Sequence, residues 1–81
     1  MKEAITAYQD AAAIYRHASD HRGEGDALNN LGLALAKTRK LNDAMSAFQA
    51  AAAIYAEIGD IHAEFRALDN LDAARAARQA F

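Results

Sequence analysis

Residues 27–55 read ALNNLGLALAKTRKLNDAMSAFQAAAAIY, and this stretch decides the fold. Leu28, Leu31, Gly32 and Leu35 fall at i, i+3, i+4 and i+7, which puts them on one face of a helix. Leu41, Ala44, Met45, Phe48, Ala51, Ala52 and Tyr55 keep the same period in a second helix. Between them Lys37-Thr38-Arg39-Lys40 has no apolar residue, and its positive charge suits the C-terminal end of a helix dipole. Gly32 lies at mid-helix, where glycine costs about 1 kcal/mol relative to alanine. Close approach of the partner helix is the expected compensation, with Ala44, Ala47 and Ala51 offering small surfaces opposite. The stretch predicts an antiparallel helical hairpin with a tight crossing.

The whole chain fits one all-α domain. Its 81 residues are 53% hydrophobic and 25% charged, a globular balance, and the alanine- and leucine-rich text without proline favours helices. Four helices are expected, at about 2–18, 20–38, 42–57 and 60–80, with Asp20, Asn42 and Asp60 as N-caps. Gly59 sits where a helix would end in a left-handed residue, and Gly23 and Gly25 read as a loosened junction before the second helix. The absence of cysteine excludes disulfides and thiolate metal sites and fits a reducing, cytoplasmic setting. No apolar run reaches the roughly 18–20 residues of a membrane span. The first residues, MKEAITAYQD, lack the apolar core of a signal peptide. A net charge of −2 with mixed signs leaves no nucleic-acid footprint. Neither a membrane nor a nucleic acid is expected as a partner.

The chain also repeats itself. Shifted by forty residues, Ala4 to Tyr15 overlays Ala44 to Tyr55, and Ala27-Leu28-Asn29-Asn30-Leu31 overlays Ala67-Leu68-Asp69-Asn70-Leu71. Residues 4–34 and 44–74 share 15 of 31 positions, far more than alanine content produces by chance. Such a period marks a solenoid-type repeat, whose helical pairs bury their faces by stacking. Met1, Leu41 and Phe81 hold equivalent places, so the chain divides into units 2–41 and 42–81, each out of frame with the hairpin. That register fits an excised or duplicated piece of a longer array.

The hairpin resembles the tetratricopeptide repeat. Leu28, Leu31-Gly32 and Leu35 match the first-helix pattern of that family, and Ala44, Phe48 and Ala51 match the small, aromatic and small positions of its second helix. The period of 40 resembles the long variety found in kinesin light chains and bacterial multidomain regulators, rather than the usual 34. Asp72, Ala73 and Arg75 depart from the pattern, which makes the last helix a degenerate copy. The resemblance implies an α-solenoid fragment and a non-catalytic protein-interaction role. In such arrays the first helices line a concave groove for an extended peptide. Here the matching positions are Asp26, Asn29, Asn30, Leu33 and Lys37, with Arg66, Asp69 and Asn70 in the second copy. Asn30 and Asn70 match the family's groove asparagine, and Leu33 would add an apolar contact.

An alternative rests on the helices at either end, each lacking a neighbour on one side. Ile5, Tyr8, Ala12 and Tyr15 at one end, and Leu71, Ala74 and Phe81 at the other, are expected to be exposed. They would support self-association, as a dimer first of all. Catalysis has no constellation behind it. His17 and His21 stand four apart, yet a helix ends between them and no third ligand is assured. Ser19 and Ser46 lack a histidine-carboxylate partnership, and Gly23-Glu24-Gly25-Asp26 would repel a phosphate. No enzyme activity, cofactor or metal is expected.

Overall fold

A computed structural model describes residues 2–80, which form four helices: α1 (Lys2–His17), α2 (His21–Lys37), α3 (Leu41–Glu57) and α4 (Ile61–Gln79). Phe81, expected at a self-association face, lies outside the described residues. There is no strand among the described residues. Each helix packs against the next in sequence, while α2 and α4 meet along one edge only. The Cα atoms span 39 × 28 × 13 Å, so the helices form a thin slab rather than a closed bundle.

All three junctions close in the same way. Ser19, Arg39 and Gly59 take left-handed backbone, with φ of 58°, 65° and 75°. The following N–H then reaches back five residues, Asp20 to Tyr15, Lys40 to Leu35 and Asp60 to Tyr55, each at 2.9 Å. This is the Schellman closure of a helix C-terminus, which satisfies carbonyls that otherwise lack partners. Asp20 and Asp60 then cap α2 and α4 by accepting from the N–H of Gly23 at 2.9 Å and of Ala63 at 3.1 Å. At α3 the cap is Lys40, which has no capping side chain. Asn42 is therefore inside α3 rather than at its cap, and it accepts a hydrogen bond from Arg78 of α4 at 2.9 Å. Asp60 also pairs with Arg22, tying the start of α2 to the start of α4.

Two buried clusters hold the slab together. Leu31, Leu35, Ala44, Ala47, Phe48, Leu71 and Ala74 form one, and Ala51, Ala52, Tyr55, Ala63 and Ala67 the other. Gly32 is compensated by an aromatic ring, not by alanines. A Cβ built there would lie 2.5 Å from the Phe48 ring, which is 1% exposed. Gly23 and Gly25 are not a loosened junction. Both lie within α2, where Tyr15 and Tyr55 respectively press against their backbone.

Candidate functional site

The edge where α2 and α4 meet is a shallow groove with two recesses. Asp26, Asn29 and Asn30 of α2 face Arg66 of α4 across a polar recess of about 300 Å³, with Tyr55 at its side. A second recess of about 160 Å³ is mainly apolar. Leu33, Ala36, Asn70, Ala73 and Ala77 line it over the ring of Phe48. Of the eight residues predicted for the groove, six line one recess or the other. Lys37 and Asp69 line neither and are exposed beside them. Leu33 is 40% exposed, an apolar side chain held at the mouth of a recess.

Side chains from different helices fix the groove's shape. Asn70 donates from its amide to Asn29 Oδ1 at 3.1 Å, bridging α4 to α2. That bond leaves the amide one N–H and its carbonyl oxygen for another partner. Asn30 is exposed next to it. Below them the Tyr55 hydroxyl donates to Asp26 Oδ1 at 2.5 Å. Burial of the phenol, and then this bond, push the hydroxyl's pKa well above the ordinary tyrosine range, because both disfavour the phenolate. Sequence spacing does not reveal the Tyr55–Asp26 or Asn29–Asn70 pairs, which join residues 29 and 41 positions apart.

The expected self-association faces are only partly where the sequence put them. Ala12, Leu71 and Ala74 are buried at 6%, 6% and 4%, and Ile5 and Tyr8 pack half-buried against the first core cluster. Leu71 and Ala74 turn inward because that side of α4 is the one lying on α3. Tyr15 does remain exposed, with Ile14 beside it. On α4 the large apolar residues left in solvent are instead Ile61, Phe65 and Leu68. Phe65, Leu68, Asp72 and Arg75 are the counterparts of Gly25, Leu28, Gly32 and Leu35, and Asp72 and Arg75 pair with each other at 3.1 Å.

Among the described residues no group of three or more His, Cys, Asp or Glu is placed to hold a metal ion, and no helix is long and apolar enough to cross a membrane. No family model, no curated protein and no solved structure matches the chain.

Proposed function

We propose that this chain is a non-catalytic protein-interaction module, a tetratricopeptide-like scaffold that takes an extended peptide in the α2–α4 groove. One observation carries the reading: along the α2–α4 edge Asn30 borders the polar recess, while Asn70 and the exposed Leu33 border the apolar one, which Ala36, Ala73 and Ala77 also line. An amide side chain pairs with a peptide backbone in either direction, since it both donates and accepts. The smaller recess suits one aliphatic side chain of that peptide. Short extended peptides on an array, half of them carrying a central leucine or valine, test this against the full chain. Peptides that bind should weaken about 3- to 10-fold on Asn70→Ala or Asn30→Ala, the worth of a neutral hydrogen bond, and fail on Leu33→Asp. Binding that ignores all three substitutions overturns the reading.

Self-association is a second reading, supported by the row Ile61, Phe65 and Leu68, which stand 60%, 59% and 36% exposed at i, i+4 and i+7 on α4. Pairing of two such rows would make a two-fold dimer. Light scattering from micromolar to near-millimolar chain, with Phe65→Glu as control, tests it. A monomer mass throughout removes this reading and leaves the groove untouched.

A further inference from the structure

The internal repeat assigns an occupant to the other unpartnered surface, the open side of α1. Tyr8, Ala11 and Tyr15 of α1, with Asp26 and Asn30 of α2, border a cleft of about 170 Å³. Forty residues on, the counterparts Phe48, Ala51, Tyr55, Arg66 and Asn70 form the same surface on α3 and α4. There the surface is covered, and α2 is what covers it. Phe48 lies on Gly32, Tyr55 lies on Gly25 and bonds Asp26, and Asn70 bonds Asn29. Exposure follows this difference. Phe48, Ala51 and Tyr55 are at 1%, 0% and 1%, while Tyr8 and Ala11 are half-buried and Tyr15 is 38% exposed. Ala12 and Ala52, which face the next helix in both copies, are equally buried at 6%.

We propose that the α1 surface is a docking seat for a partner helix of α2's own chemistry, bearing the pattern of residues 25–32, GDALNNLG. Two glycines seven apart admit the two rings, an aspartate after the first accepts the Tyr15 hydroxyl, and an asparagine three further on meets Asn30. The same pattern excludes the obvious competitor. In α4 the equivalent residues 65–72 read FRALDNLD. Phe65 and Asp72 stand where α2 has glycine, and there even a Cβ comes within 3.0 Å of Tyr55 and 2.5 Å of Phe48. A second copy of this chain therefore cannot fill the seat through α4 in the register of the repeat. The seat discriminates between two helices of one chain by four residues.

Those four residues give the test. The full chain carrying Phe65→Gly, Arg66→Asp, Asp69→Asn and Asp72→Gly presents α2's surface on α4. It should grow head to tail, its mass rising with concentration, because the contact is heterologous. Adding Tyr8→Asp and Tyr15→Asp should return it to monomer. Any association of the unmodified chain should survive those two seat substitutions. A second probe removes dependence on how the quadruple variant folds. A synthetic peptide of residues 21–37 is added to the unmodified full chain, with the Tyr8 and Tyr15 ring resonances as readout. It should shift both, and a peptide with FRALDNLD in place of GDALNNLG should bind at least tenfold more weakly. A helical quadruple variant that stays monomeric, growth that persists in the seat variant, or equal binding of the two peptides overturns the proposal.

Discussion

Alanine at Gly32 and alanine at Gly23 are the same substitution in the same helix, and they should act with opposite sign. In open surroundings either change stabilises a helix by about 1 kcal/mol. At Gly32 the new methyl would sit 2.5, 2.6 and 2.8 Å from three atoms of the Phe48 ring. That ring is 1% exposed and wedged in the core, so it has nowhere to move. Overpacking of this kind costs about 1–3 kcal/mol, which offsets the propensity gain and leaves Gly32→Ala destabilised by up to about 2 kcal/mol. At Gly23 the nearest atoms are Tyr15 ring carbons at 2.6 and 2.8 Å and the Asp20 carboxylate at 2.8 Å. Tyr15 is at the surface and can swing away, and the second copy already carries Ala63 beneath its capping Asp60. Gly23→Ala should therefore stabilise by up to about 1 kcal/mol. Thermal unfolding followed by circular dichroism reads both, at roughly 4–8 °C per kcal/mol for a domain of this size. Phe48→Leu should relieve the Gly32→Ala penalty, giving a measurable coupling in a double-mutant cycle. A Gly32→Ala chain as stable as Gly23→Ala, or one uncoupled from Phe48, refutes the close-contact argument.

Other outcomes follow from the same geometry. Ser19→Gly should raise stability by about 0.5–1 kcal/mol in urea titration, since Ser19 holds a left-handed φ of 58° that glycine adopts freely. Tyr55→Phe should cost about 1–2 kcal/mol through loss of the Asp26 bond while the ring stays packed. Because the Tyr55 hydroxyl's folded pKa is raised, its contribution is complete below about pH 10 and fades as pH climbs beyond that; Tyr55→Phe should lack that alkaline loss. Arg22, and then the Ala63 N–H, hold the Asp60 carboxyl below the usual carboxylate range. The stability it adds is present above about pH 4 and lost in acid, so Asp60→Asn should flatten the acid limb of a pH–stability curve.

Helical periodicity and the forty-residue repeat carry the fold, because both are properties of spacing. The element boundaries fell within one or two residues, since aspartate caps and left-handed turns leave a local mark at Asp20, Gly59 and Asp60. Asn42 misled because a good capping residue stood two places past a cap made by Lys40 backbone alone. The groove was legible as a face of α2 and α4, whereas its polar cross-links were not. Tyr55 to Asp26 and Asn29 to Asn70 depend on how far neighbouring helices slide, which no single helix encodes. The outer faces failed for a related reason. Choosing between Leu71 and Leu68 as the solvent side requires knowing which flank of α4 meets α3, and both flanks carry leucine.

Groove and α1 seat share Asp26 and Asn30, but Leu33, Asn70 and Ala73 belong to the groove alone, Tyr8 and Tyr15 to the seat alone, and Ile61, Phe65 and Leu68 to the α4 row, so a single map separates them. The direct measurement is a two-dimensional amide spectrum of the full chain titrated with a peptide selected by array. Peptide recognition in the groove predicts shifts concentrated at Leu33, Asn70 and Ala73, with Tyr8 and Tyr15 unmoved. Shifts confined to Ile61, Phe65 and Leu68, or spread over every helix, would contradict it.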